Sequence, residues 1–130
     1  MGQKFLTAPV ILICAPARGS DGDRLTRPGL TTKSGLFITG TDTGCGKTFV
    51  ARALVRLLRD QGICVAGLKP VAAGAVYTTA GWRNDDALAL LEEGAVDAPY
   101  ELINPYCFEA AIAPHLAAAD AGTVIELAPI

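Results

Sequence analysis

From residue 35 onward the chain runs as a short apolar stretch, a glycine-rich turn, a longer amphipathic stretch and a second apolar stretch. Leu36, Phe37, Ile38 and Thr39 are enriched in strand formers and end in glycine, as expected of a buried strand in a parallel sheet. Residues 47–60 then place Val50, Leu54, Leu57 and Leu58 at three- and four-residue spacing, while Arg52, Arg56 and Arg59 line another face and Gly62 sits where a helix stops. This predicts an amphipathic helix of about four turns. Residues 63–68 read as a second buried strand, closed by Lys69 and Pro70 because proline cannot continue a central strand. Strand, glycine turn, helix and strand make one βαβ unit.

Beyond it, residues 71–82 are rich in Gly, Ala and Thr without a clear period, which predicts a functional loop. Asn84 caps a helix predicted to run to Glu93, with acids in its first turn and Gly94 past its end. Residues 97–109 are irregular and aromatic, and residues 114–121 predict an alanine-rich helix with proline at its start and Gly122 after it. Upstream, residues 15–34 carry Gly, Pro, Ser, Thr and Arg without periodicity and read as a loop or a disordered arm. The apolar run at 10–14 is either an extra strand or a non-native extension, so the ordered domain is expected from Gly35, with residues 1–34 as an N-terminal extension. Two central strands cannot build a sheet covered on both faces, so residues 35–130 are expected to be the front part of a larger α/β domain.

Composition narrows the class. Apolar residues make up 51% and charged ones 18% of 130 residues, enough to fill a core and opposed to disorder. The longest early uncharged run, residues 5–17, holds two prolines and falls short of the roughly 18 to 20 apolar residues a membrane span needs. Residues 1–34 carry five basic and two acidic groups, residues 35–130 six basic and eleven acidic, and none of the basic groups lies beyond Arg83. Nothing in the body would neutralise a run of phosphates, which argues against a nucleic-acid partner. Four scattered cysteines and one histidine give neither a disulfide framework nor a zinc cluster, and the default compartment is a reducing cytosol.

The main chemical signal is residues 40–48, GTDTGCGKT, between strand and helix. A triphosphate needs converging backbone N–H groups, hence glycines free to take positive φ; it gains further from a helix N-terminus and a lysine near its β and γ phosphates. Lys47 fills that place, and Thr48 offers a hydroxyl to Mg²⁺. Five residues rather than four separate Gly40 from Gly46, a small departure from the strict spacing. Lys69, at the carboxyl end of the second strand, could neutralise a transferring phosphoryl group or a carboxylated substrate, and equally could be a surface lysine at a strand end. Asp86 could complete a Mg²⁺ shell, although Asn-Asp-Asp at a helix start is also ordinary capping. Cys45 reads as a small filler in the loop, His115 as a packing or capping residue, and Trp82 and Tyr106 as packing rather than stacking platforms.

Taken in order, GTDTGCGKT at 40–48, AGLKPVAAG at 66–74, RNDDALAL at 83–90, Asn104-Pro105-Tyr106 and Ala113-Pro114-His115 resemble the N-terminal half of the dethiobiotin synthetase family. The resemblance implies a P-loop NTPase-like, doubly wound, mainly parallel sheet with flanking helices, truncated after its N-terminal half. It also implies an ATP-dependent cyclo-ligase of biotin biosynthesis that carboxylates 7,8-diaminononanoate with CO₂, closes the ureido ring and releases ADP and phosphate. By position, the family's nucleotide contacts fall on Gly44, Cys45, Gly46, Lys47, Thr48, Phe49 and Asp86, its Mg²⁺ ligands on Thr48 and Asp86, and its catalytic lysines on Lys69 and Lys47. Lys69 and position 73 face the substrate in that reading, and the full-length family is homodimeric and cytoplasmic.

Two departures are visible. Ala73 stands where the family commonly has Ser or Thr, which removes one substrate hydrogen bond. The family's later Glu-Gly-Ala-Gly-Gly segment, with its acidic Mg²⁺ ligand and adenine-recognition loop, has no counterpart in these 130 residues. Competing readings are a cobyrinate-type amidoligase, a partitioning-type ATPase switch, which should carry a second lysine inside the loop, and an inactive fragment.

Overall fold

A computed structural model describes residues 8–15, 34–42 and 44–130. The elements are β1 (Val10–Ala15), β2 (Ser34–Ile38), α1 (Lys47–Asp60), β3 (Cys64–Leu68), β4 (Val71–Ala73), β5 (Val76–Thr78), β6 (Gly81–Arg83), α2 (Asp85–Glu93), α3 (Tyr100–Ile103), β7 (Tyr106–Phe108) and α4 (Pro114–Asp120). The α/β class and the three principal helices follow the sequence pattern.

The main sheet has the order β2-β1-β3. Strand β1 runs antiparallel to both neighbours, with Leu12 opposite Leu36 on one side and Gly67 on the other. β2 and β3 therefore run parallel to each other and are joined through α1, as a βαβ unit requires, but they are separated by β1. The run at 10–14, open between strand and extension on sequence grounds, is thus the middle strand, and the sheet takes it from upstream of residue 35. Its alternation explains the placement: Val10, Leu12 and Cys14 are buried with Ala51, Val55, Val65 and Leu90 in the principal core, while Ile13 is exposed. The rest of the predicted arm, residues 1–7 and 16–33, lies outside the described residues.

Residues 71–82, expected to be a loop, hold three short strands. β4 pairs in parallel with β7, Ala72 facing Cys107, and β5 and β6 form an antiparallel hairpin. Strands of three residues are too short to show a period; ahead of the β4–β7 pair the Tyr106 N–H donates to the Pro70 carbonyl at 3.1 Å. Tyr77 and Trp82 meet edge-to-face across the hairpin with ring centroids 5.2 Å apart, so Trp82 packs as expected. The irregular 97–109 segment contains the single-turn α3 and β7.

Helices α1 and α2 are tied together at one end. Arg52 pairs with Glu93 at 2.9 Å, and Arg59 donates to the Glu93 carbonyl at 2.9 Å. α2 starts as predicted, with the Asn84 side chain accepting from the Ala87 N–H at 3.3 Å. Gly67 lets β3 approach α2 closely, since a Cβ there would lie 2.8 Å from Leu90 Cδ2.

Candidate active site

The turn between β2 and α1 is shaped by its glycines. Gly46 occupies the N-cap of α1 with φ of 91°, a left-handed conformation that costs other residues energy, and no side chain caps the helix behind it. Gly40 is needed for space: a Cβ there would sit 2.4 Å from Cys45 Sγ and 3.1 Å from Lys47 Cγ. The result is a tight loop that aims the open N-terminus of a 14-residue helix at the adjoining cavity. Such an end, with its free N–H groups and positive dipole, favours an oxyanion.

That cavity is about 690 Å³ and brings together Gly44, Gly46, Lys47, Thr48, Phe49, Lys69, Ala73 and Asp86 from the sequence-predicted set. Cys45 is the exception. The residue is exposed and does not line the cavity, and its thiol lies 3.6 Å from the Lys47 ammonium and close against Gly40, so the reading of a small filler gives way to an accessible thiol in the turn. A hydrogen bond from the Asp42 backbone, aided by the Lys47 charge, holds that thiol below its ordinary pKa. The Lys47 ammonium donates to the Asp42 carbonyl at 2.7 Å, a contact the sequence did not show.

Lys69 is not a surface lysine. Its residue is 8% exposed, and its Nζ donates to Asp86 Oδ2 at 2.6 Å. The carboxylate side of the pair is wetter, with side-chain exposures of 10% for Lys69 and 44% for Asp86. Partial burial works to raise the Asp86 carboxyl, but the Lys69 hydrogen bond and charge, the Thr48 hydroxyl and the Lys47 charge outweigh it and hold the group below the usual range. Capping, the competing role for Asp86, falls instead to Asn84.

Thr48 and Asp86 line the same cavity, and Thr48 is among the groups that lower the Asp86 carboxyl, so two hard oxygen donors stand beside the phosphate loop. Mg²⁺ takes one or two protein oxygens and completes its shell with phosphate and water, so this pair fits it. No cluster of three His, Cys, Asp or Glu side chains suited to a metal occurs among the described residues.

The far wall is built by Ala111, Ile112, Ala113 and Pro114, which the sequence reading had not placed at the site. His115, next along the chain, is exposed in the first turn of α4. Asn84, expected as a cap and 8% exposed, also lines the cavity and belongs to a buried polar cluster whose other members, Tyr100 at 7% and Asn104 at 3% exposure, the sequence did not assign to the site. The sequence signals for it were Asn84 as a helix cap and the Asn104-Pro105-Tyr106 segment, neither of which pointed to a polar network.

Known proteins resemble this chain in sequence. ATP-dependent dethiobiotin synthetase BioD of Xylella fastidiosa strain 9a5c is 50% identical over 97 residues, covering 75% of this chain and 43% of the relative. The protein of the same name from Xanthomonas campestris pv. campestris strain 8004 is 48% identical over 95 residues, covering 73% and 42%. The chain thus spans less than half the length of the curated relatives it matches. The family described as AAA domain matches residues 34–130, which include the phosphate loop, Lys69, Asp86 and the Asn104 segment, and the chain belongs to that family.

Proposed function

We propose that this chain carries the phosphate-binding and substrate-facing portion of an ATP-dependent dethiobiotin synthetase, an enzyme that forms dethiobiotin from 7,8-diaminononanoate and CO₂ in biotin biosynthesis. One observation carries the reading: two lysines from separate elements, Lys47 on α1 and Lys69 after β3, line one cavity with Thr48 and Asp86 between them. The 50% identity to an ATP-dependent dethiobiotin synthetase supports the choice of reaction over other ATPases.

The chemistry asks for gathered anions. CO₂ adds to one amine of the diamine to give a carbamate, releasing a proton. The carbamate oxygen attacks the γ phosphorus of ATP, ADP leaves, and a carbamic-phosphoric anhydride forms. The second amine then attacks the anhydride carbon, and phosphate departs as the ureido ring closes. A carbamate is a weak nucleophile in water, so the site must hold three anionic groups in line and suppress their repulsion.

In this proposal Gly44, Cys45, Gly46, Lys47, Thr48 and Phe49 form the nucleotide-binding turn, with Cys45 contributing backbone rather than side chain. Lys47 leaves the Asp42 carbonyl to hold the β and γ phosphates. Lys69 neutralises the carbamate and the departing phosphoryl oxygens. Thr48 and Asp86 hold Mg²⁺, which when bound screens the phosphate charge. Ala73 lines the substrate side without a hydroxyl, so affinity for the diamine is set by neighbouring groups. The proposal includes a homodimer for the full-length enzyme and a reducing cytoplasmic setting, with which the free thiols of Cys14, Cys45, Cys64 and Cys107 are compatible. No helix among the described residues is long and apolar enough to cross a membrane.

Calorimetric titration of the chain with Mg-ATP, alone and with 7,8-diaminononanoate and bicarbonate, tests this, with Lys47→Ala as control. Binding that the control abolishes, and that gains heat when the diamine is present, is expected. Nucleotide binding indifferent to the diamine would defeat the biotin assignment, and absence of Lys47-dependent binding would defeat the nucleotide site.

A further inference from the structure

Behind the cavity, Asn104 uses every hydrogen-bonding atom of its side chain. Its Nδ2 donates to the Lys69 carbonyl at 2.6 Å and to the Tyr106 carbonyl at 3.0 Å, and its Oδ1 accepts from the Tyr100 hydroxyl at 2.9 Å. The Tyr100 oxygen in turn accepts from the Asn84 N–H at 2.8 Å. Asn84 caps α2, and Asp86 lies two residues further on. Asp86 closes the circuit by accepting from the Lys69 ammonium at 2.6 Å.

Two additional clamps hold the same ring. The Lys69 N–H donates to the Ile103 carbonyl at 2.9 Å, so both backbone groups of Lys69 are fixed to the 103–104 turn. The Arg83 guanidinium lies 4.1 Å from the centre of the Tyr100 ring and fixes the phenol from its face. Burial pushes the Tyr100 hydroxyl well above its usual pKa, so it stays protonated and keeps its donor for Asn104. No buried side-chain polar atom among the described residues lacks a partner, so the network is complete, the condition under which such networks rigidify what they touch.

We propose that Asn104 and Tyr100 are positioning residues that couple Lys69 to Asp86 through the protein interior, so that the backbone roots of the substrate-facing ammonium and the metal-facing carboxylate are held in a fixed relation. This rests on the roles proposed above for Lys69 and Asp86. Neither Asn104 nor Tyr100 lines the cavity, and they act only through the residues they hold. When Asp86 turns to a metal, its bond to Lys69 is released while the carbonyl and N–H of Lys69 stay anchored. Lys69 is then free to swing toward substrate from a fixed root.

The test is the ratio of ATP dissociation constants without and with Mg²⁺, measured on the full chain. Neither Asn104 nor Tyr100 bonds to a phosphate-loop residue, so metal-free ATP serves as the reference and the ratio reports Asp86. Tyr100→Phe keeps the ring and its Arg83 contact but leaves the Asn84 N–H and Asn104 Oδ1 without their partner. It is expected to lower the ratio on the order of tenfold, the scale set by a buried hydrogen bond left unmade, with metal-free affinity unchanged. Added to Asp86→Ala, the same change should leave the ratio where Asp86→Ala alone puts it. A Tyr100→Phe chain that melts earlier yet keeps the wild-type ratio would make the network a structural strut and overturn the proposal.

The wild-type chain offers a second measurement that needs no folded variant. Titrating Mg²⁺ into the ATP-loaded protein should shift the Asn104 side-chain amide resonances, and a fixed position would overturn the coupling. Neither readout uses the diamine, so loss of the biotin assignment leaves both standing, whereas a wild-type chain with no Mg²⁺-dependent nucleotide binding overturns this proposal together with the nucleotide site.

Discussion

Removing Asp86 should destabilise the chain more than removing its partner Lys69, although both changes break the same 2.6 Å contact. The reason lies in unequal burial. The Lys69 side chain is 10% exposed and that of Asp86 44%. Orphaning one member of a buried pair costs about 3–5 kcal/mol because the survivor stays charged away from water. Here the carboxylate end is nearly half in solvent, which screens the pair, so the cost of Asp86→Ala is discounted to about 1–2 kcal/mol. Lys69→Met leaves a carboxylate that keeps the Thr48 hydroxyl, the nearby Lys47 charge and water. An apolar chain of similar length fills the buried stem, and with the surviving carboxylate nearly half in solvent the change should cost less than Asp86→Ala, about 1 kcal/mol or below. The double variant has no orphan and should be more stable than Asp86→Ala alone. Urea unfolding of the nucleotide-free chains at neutral pH measures all three, with equal slopes required for comparison. The reasoning fails if Lys69→Met costs as much as Asp86→Ala, or if the double variant is the least stable of the set.

The depressed Asp86 carboxyl carries a pH signature. Its stability contribution is fully present above the unfolded carboxylate value of about 4 and is lost as pH falls through the lower folded value. The stability gap between the wild type and Asp86→Asn should therefore be constant from neutral pH down to about 5 and narrow progressively below about 4; a gap that does not narrow as pH falls below about 4 in urea titrations would refute it. Gly40→Ala places a Cβ against Cys45 Sγ and the Lys47 stem, so these two side chains must shift. ATP affinity is expected to fall by about tenfold with little change in unfolding midpoint, since Lys47 is pushed from the position proposed to hold the phosphates. Adding Cys45→Ala should recover part of the loss, and calorimetry showing no recovery would place the strain elsewhere.

Legibility followed range along the chain. α1 was predicted at Lys47–Asp60 and observed there, because a 14-residue amphipathic period is a strong local signal and Gly46 and Gly62 bracket it. The cap of α2 was equally local, since Asn84 reaches only three residues to Ala87. β1 was not legible as the middle strand. Its alternation of buried Val10, Leu12 and Cys14 with exposed Ile13 has meaning only once α1 lies across that face. Nothing in the sequence distinguishes a strand that inserts between β2 and β3 from one that adds at an edge. The short strands β4 and β7 failed for the same reason, as their 35-residue separation leaves no local trace.

The site shows the same division within single residues. Lys69 was legible through its side chain, since a lysine at the carboxyl end of a strand is a chemical group in an expected place. Its backbone was not, and the backbone is where the structure invests most: the carbonyl takes a 2.6 Å bond from Asn104 and the N–H gives one to Ile103. A cation held near a carboxylate needs its root fixed if it is to change partners without the strand end moving. Asn104 meets that need from 35 residues away, buried to 3% exposure and invisible to any charge or metal-ligand pattern. Groups that contact ligand advertise themselves by type, whereas groups that hold them are ordinary amides and hydroxyls whose meaning is carried by satisfaction of neighbours. A polar residue beside a proline in an apolar, aromatic stretch, as Asn104 is in this chain, therefore marks a place where the fold is being held to a geometry.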